Sequence, residues 1–464
     1  MTATTSLDRA GLDDVRTPLQ AANAAFARAF PGETDRRQPV HTVYGGAHLF
    51  KSDSAEKMGR VALRALDDYA ADADALAAVL EWHGDQAKLA HIVHDRVVDK
   101  LKREPVEDFR IDFEDGYGNR PDAEEDGHAE QAALEVAKGM AAGSLPPFCG
   151  IRIKPFNDEL FERSARTLDI FVSTIARESK GGVPDNFVVT LPKVTAAAQV
   201  TALVELLAKL EAATGLAAGI LNIELMVETP QSLFDASGNI NLPSLIDAAM
   251  GRCTGAHFGV YDYTALCNIT AAYQAMTHPA CDFARDVMQV ALAQRGIHLS
   301  DGATNIMPVA PNRAVAGEEL SLEQRGQNEQ SVHRAWRLGY SDIVHSLQHA
   351  YYQGWDLHPA QLPIRYAAVY LFFLEGLEAA SKRLSAFMDK AAQATLVGDV
   401  FDDAATGQGL LNYFLRALSC GAITEAEATA TGLSVEEIRS RSFVKILRGR
   451  AAVSAGAGAA SPTE

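Results

Sequence analysis

Seven charged residues stand at or just past the ends of short apolar runs. They are Asp112, Glu114 and Asp115 in DFEDGYG, Arg152 in GIRIK, Lys193 in LPK, Glu228 in VETPQ and Asp262 in FGVYD, and Lys154, two residues past Arg152, is a third cation expected to converge with them. A carboxylate at the end of an apolar strand costs several kcal/mol to dehydrate unless a cation or hydrogen bonds compensate it. Glu228 and Asp262, on consecutive runs, could share a hard divalent ion. Mg²⁺ suits such a pair, because it takes one or two carboxylates and keeps waters that a substrate can displace. Arg152 could hold a carboxylate through two parallel hydrogen bonds and stabilise enolate charge developing beside it. Read singly, an acid after a strand is an N-cap of the next helix, and Arg152 or Lys193 a structural ion-pair partner. Five acids at successive strand ends are more than capping explains, and together they are the equipment for forming an enolate next to a carboxylate.

The elements that must position these residues follow one rhythm, a short apolar run and then a helix-length stretch. The runs are 39–44, 108–113, 148–153, 186–191, 221–227, 255–260, 296–300 and 355–358. Between the fourth and fifth, Val200, Leu203, Leu206, Leu207 and Leu210 share one helical face, and Gly215 follows as a stop. Strands alternating with helices pair in parallel through right-handed crossovers, and eight of them predict a closed (β/α)₈ barrel. In such a barrel functional residues lie at the C-terminal strand ends, where the seven charged residues fall.

The expected organisation is an N-terminal helical arm (1–36), a barrel (37–370) with insertions at 51–105 and 311–350, a C-terminal helical cap or lid (371–450) and a low-complexity tail (451–464). His345 and His349 stand four apart on a helix but lack the Glu of HExxH, so they read as a solvated face, as do His91 and His94.

Composition narrows the function classes. The 464 residues carry 42 basic and 60 acidic side chains, a net charge of −18, which argues against binding a phosphate backbone. With 47% hydrophobic residues the chain can bury a large core. No apolar run approaches the ~20 residues that cross a bilayer, so no membrane partner is expected. Five cysteines without CxxC spacing and no secretory leader point to the cytoplasm.

The ordered series Asp112-Phe-Glu-Asp, Gly150-Ile-Arg-Ile-Lys, Leu191-Pro-Lys-Val, Val227-Glu-Thr-Pro and Phe258-Gly-Val-Tyr-Asp resembles the HpcH/HpaI aldolase and citrate lyase β-subunit family. Arg295-Gly-Ile-His-Leu-Ser-Asp-Gly and Leu357-His-Pro-Ala-Gln are similar to its later motifs. The resemblance covers roughly residues 39–365. It implies a TIM barrel of the phosphoenolpyruvate/pyruvate-binding type that makes or breaks a C–C bond through a metal-held enolate. By position, Glu228 and Asp262 become ligands of Mg²⁺ or Mn²⁺, and Arg152 and Asp112 substrate binders, with Arg152 also catalytic. Glu114, Asp115 and Lys193 join the catalytic set. The aldolase branch has a histidine where Asp115 stands, so the general base is left open. In the malyl-CoA lyase-like branch a C-terminal lid gives a catalytic Asp to a neighbouring subunit; Asp402, in Gly398-Asp-Val-Phe-Asp, has a similar setting, and a homo-oligomer is implied.

The expected activity is therefore a divalent-metal-dependent C–C lyase or aldolase acting on a small carboxylic acid, a 3-hydroxy acid or its coenzyme A thioester. Two alternatives stand beside it: a malate-synthase-like condensation of an acyl-CoA with a 2-oxo acid, and a non-catalytic dicarboxylate-binding barrel.

Overall fold

Eight parallel strands close into one barrel in chain order. They are β1 (His41–Gly46), β2 (Asp108–Asp112), β3 (Phe148–Arg152), β4 (Val188–Leu191), β5 (Asn222–Val227), β6 (Cys253–Phe258), β7 (His298–Ala303) and β8 (Gln353–Asp356). The ring closes through β1 and β8, with His41 opposite Gly354. This computed structural model describes residues 9–32, 36–314, 319–394 and 404–450, apart from 441, 444 and 447. The predicted (β/α)₈ TIM barrel is the fold. Each apolar run forms its strand, with β1, β6, β7 and β8 displaced by about two residues from the runs that announce them.

Period-two alternation sorts the side chains of β2. Phe109, Ile111 and Phe113 face the helix layer, where Phe109 meets Phe50 and Phe113 meets Phe171 of helix Phe161–Glu178. Asp108, Arg110 and Asp112 turn into the barrel. The interior is consequently charged. Arg110 donates to Thr190 and to both oxygens of Glu224, and pairs with Asp108. His257 lies 2.8 Å from Glu224. Burial alone would raise the pKa of Glu224; Arg110 and His257 beside it more than reverse that and hold it far below the usual carboxylate range.

The helices follow from their patterns. In Ala197–Thr214, Val200, Leu203, Val204, Leu207 and Leu210 are buried, and Gly215 ends the helix in the left-handed conformation at φ 74°. Each buried Leu there stabilises the packing by about 1.5–3 kcal/mol. The β1–β2 connection carries helices Ser54–Tyr69, Ala73–Val79, Asp85–Lys88 and Ala90–Arg103. The segment 311–350, expected as an insertion, contains Leu322–Gln348, the helix that returns the chain from β7 to β8 and so belongs to the barrel's own rhythm.

Helix Leu362–Ala394 continues from β8 through position 371, so the expected boundary between barrel and cap falls inside one helix. Beyond it come Ala404–Ser419, Glu425–Thr429 and Val435–Arg439. Arg416 hydrogen-bonds Gln38, just before β1, and stacks on Tyr352, just before β8, at 4.7 Å. Arg96 grips Glu427 at 2.7 and 2.9 Å. In their own chain these C-terminal helices thus pack at the foot of the barrel, where strands begin. Asp402 lies outside the described residues. Among the described residues no helix is long and apolar enough to cross a membrane.

Candidate active site

Arg152 ends β3 with its side chain 2% exposed. Asp112, at the end of β2, fixes it by accepting from Nε at 2.7 Å and Nη2 at 2.5 Å. The same carboxylate accepts the amides of Glu114 at 3.0 Å and Gly116 at 2.7 Å. All of this requires a bare Gly116, because a Cβ there would come within 2.6 Å of Asp112 Oδ2. Asp112 was expected to bind substrate; with both oxygens occupied by protein donors, it instead orients Arg152 and the β2 loop.

The third guanidinium nitrogen is different. Nη1 is buried and, among the described residues, has no hydrogen-bond partner, although Glu114 Oε2 lies 3.1 Å away at an unfavourable angle. The guanidinium also lies 4.8 Å from the Tyr44 ring and 5.6 Å from Trp355. Those two rings are 4.2 Å apart. A rigid, desolvated cation is thereby presented with one donor group free. Tyr44 and Trp355 line the site although neither was among the expected site residues. The signal was their place on β1 and β8, the pair that closes the ring beside β3's neighbour.

Lys193 follows β4 in the left-handed region, at φ 50°. That turn aims its backbone N–H at Glu228 Oε1, 2.7 Å away. Its ammonium hydrogen-bonds Glu114 and lies 3.2 Å from both Asp115 and Asp262. Burial would lower the pKa of Lys193, but Glu228, Glu114 and Asp115 push it up, so it stays charged. Glu114, mostly buried, is pushed up by desolvation against the pull of Arg152. Asp115 is more exposed; burial opposes it, but its hydrogen bond with Glu114 and the charge of Lys193 lower it.

Glu228 is 2% exposed at the start of the β5 loop. Burial pushes its pKa up to about 8, against the opposing charges of Lys193 and Arg152. Its Oε1 takes the Lys193 amide, and Oε2 receives no donor among the described residues. Asp262 lies in the first turn of helix Val260–Leu266, where the helix dipole favours negative charge. Two oxygen donors, one buried and incompletely satisfied, fit a hard divalent cation. Lys193 supplies positive charge to the same carboxylates, so a metal would have to compete with its ammonium.

Lys154, the other cation of β3's end, does not join the group. It pairs with Glu125 at 2.9 Å and donates to the Phe113 carbonyl. The His358-Pro-Ala-Gln361 motif is a structural cap: Gln361 accepts the amides of Leu357 and His358. Arg152, Glu114, Asp115, Lys193 and Asp262 are thus joined by direct contacts, with Asp112 behind Arg152 and Glu228 on the Lys193 backbone.

This is a TIM barrel with a charged mouth at its C-terminal strand ends. A solved citrate lyase from Burkholderia xenovorans LB400 is similar, with a TM-score of 0.51 and 17% identity, covering 86% of this chain and 97% of its own. A malate synthase from Haloferax volcanii, in its lead(II) complex, scores 0.44 at 14% identity over 72% of this chain and 74% of its own. An HpcH/HpaI aldolase/citrate lyase family protein from Burkholderia cenocepacia J2315 scores 0.32 at 13% identity, over 61% and 84%. The first likeness speaks for the fold; the other two are too distant to add to it. No curated protein sequence matches the chain. The sequence profile of DUF6986, described as a domain of unknown function, matches residues 19–446, and the chain belongs to that family.

Proposed function

We propose that this chain is a divalent-metal-dependent C–C lyase that cleaves a 3-hydroxy acid, or its thioester, through an enolate. The observation that carries the reading is Arg152: buried, clamped by Asp112, stacked beside Tyr44 and Trp355, and left with Nη1 unsatisfied by any hydrogen bond among the described residues, 3.1 Å from Glu114. A donor so fixed stabilises negative charge that develops at a carboxylate or thioester oxygen without reorganising.

Glu228 and Asp262 would hold Mg²⁺ or Mn²⁺, which supplies Lewis-acid polarisation of the substrate oxygens when bound. Cleavage starts with removal of the 3-hydroxyl proton. Glu114 is the stronger base of the adjacent pair, because burial raises its pKa while that of Asp115 is lowered. The C–C bond then breaks, the hydroxyl carbon leaves as a carbonyl, and the electron pair becomes an enolate held at Arg152. Glu114, which then carries the hydroxyl proton, is placed to return it to the enolate carbon, while Lys193, kept charged beside it, offsets the negative charge of the mouth carboxylates.

A thermal-shift panel tests the reading, with Mg²⁺ or Mn²⁺ combined with pyruvate, oxaloacetate, glyoxylate, oxalate and acyl-CoAs. Stabilisation that needs metal and acid together is expected. If no acid stabilises the protein in the presence of metal, the site is not an enolate site.

A further inference from the structure

Away from the mouth, a second group of side chains converges on the outer helix layer. Helix Leu322–Gln348 carries His345 in its last turn, and His349 caps its end. Residues four apart on a helix lie on the same face. Their rings are 4.4 Å apart between centroids. Helix Pro279–Leu292 brings Asp282 against them, with Oδ1 at 2.8 Å from His345 Nε2. One ligand atom from each of the three residues lies within 4.8 Å of the others.

We propose that Asp282, His345 and His349 form a divalent-cation site that takes Zn²⁺, or a first-row ion of similar preference, through two imidazoles and a carboxylate. Three features beyond proximity support it. His349 Nδ1 is turned to the His345 carbonyl at 2.9 Å, which leaves Nε2 as its ligand nitrogen. Hydrogen-bonding one ring nitrogen to a backbone carbonyl is how metal-binding histidines are oriented. Asp282 is likewise held, accepting from Arg285 Nη1 at 2.8 Å.

The charges around the group also leave room for a cation. Arg285 is fully buried and is shared with Asp301 of β7, whose Oδ2 takes Arg285 Nε at 2.9 Å and the Ser346 hydroxyl at 2.5 Å. One guanidinium thus stands between two carboxylates, and Asp282 retains negative charge for an ion. All three ligand residues are partly exposed, so an ion can reach them without unfolding. The donor set contains no thiolate. Two imidazoles and one carboxylate suit Zn²⁺, with a fourth position for water. Bound there, the ion would staple Pro279–Leu292 to Leu322–Gln348, the helices on either side of β7.

The test uses the full chain without any histidine tag and Co²⁺ as a coloured probe. Titration at neutral pH should produce a visible absorption band, which added Zn²⁺ removes. His349→Ala and Asp282→Asn should each weaken the band's apparent affinity by more than about tenfold. His349→Gln, which keeps a polar group at the helix end, guards against a folding artefact, and circular dichroism of each variant checks the fold. Glu228→Gln, in the mouth, should leave the band intact, which separates this site from the proposed activity. Absence of the band, or equal affinity in wild type and His349→Gln, would overturn the proposal. So would wild-type affinity in Asp282→Asn, because the ion would then be held by the histidine pair alone.

Discussion

The Asp112 carboxylate receives Arg152 Nε and Nη2 at 2.7 and 2.5 Å, and the two side chains are 1% and 2% exposed. Removing Asp112 takes away both hydrogen bonds that fix Arg152, and removing Arg152 leaves the buried Asp112 charge with only two loop amides. Asp112→Asn should therefore destabilise the fold by about 3–5 kcal/mol, the usual consequence of breaking a buried pair from one side. The shift of the denaturant midpoint measures this, and a variant as stable as wild type would show that the pair is not what holds Arg152.

Arg152→Ala should slow turnover of any substrate found by about 10²–10³-fold, as loss of an oxyanion donor does. Arg152→Lys should not restore it. A lysine cannot make two parallel bonds to Asp112 and present a third nitrogen while lying beside Tyr44 and Trp355. Near-normal turnover by either variant would remove Arg152 from the catalytic set.

Glu228 gives the metal-free protein a distinct pH dependence. Its folded pKa of about 8 lies above the unstressed 4.5, so between those values the folded state holds a proton that the unfolded state has released. Stability should then be greatest below about 4.5 for this group and fall as pH rises toward 8, by at most about 1.4 kcal/mol per pH unit. Glu228→Gln should flatten that slope. Parallel slopes for wild type and variant, from unfolding midpoints between pH 5 and 9, would show that Glu228 is not titrating as a buried acid.

Lys193→Met should tighten Mg²⁺ or Mn²⁺ binding, because the ammonium 3.2 Å from Asp262 competes for the same negative charge. A gain of roughly tenfold corresponds to about 1.4 kcal/mol. Calorimetric titration reads it directly, and unchanged or weaker binding would mean that the ammonium does not oppose the ion.

Gly259→Ala should perturb the mouth without replacing a charged residue. The added Cβ would fall 2.5 Å from Glu228 Cβ and 2.9 Å from Oε2. Overpacking of this kind costs about 1–3 kcal/mol. The variant should melt lower and lose part of the pH slope described for Glu228; a melt matching wild type would mean the β5 and β6 loops yield freely.

The barrel was legible because its signal is local: a strand of four to six residues announces itself by its own apolar run. Helix Ala197–Thr214 was equally plain, with its stripe and its terminal Gly215. The seven charged residues were found from position alone, since strand ends converge in any such barrel. Their division of labour was not. Asp112 and Lys154 occupy the same kind of position as Arg152, yet one is consumed in orienting it and the other in pairing with Glu125. Side-chain direction and competing partners decide this, and both are long-range. Asp282 was invisible for the same reason: it stands 63 residues from His345 in sequence, and only the packing of two helices joins them.

The charged interior of the barrel has a consequence for assembly of the chain. Aliphatic layers would let a strand slip by two residues and still bury its greasy face. Here a slipped β5 would carry Glu224 away from Arg110 and His257, leaving ions buried without partners. The β5–β6 pairing is itself irregular at Ile223 and Glu224, so this residue sits where the ladder steps. The ion pairs inside the barrel therefore mark its register: the observed closure of the ring satisfies them, and a ring closed two residues out of step would carry buried charge without partners.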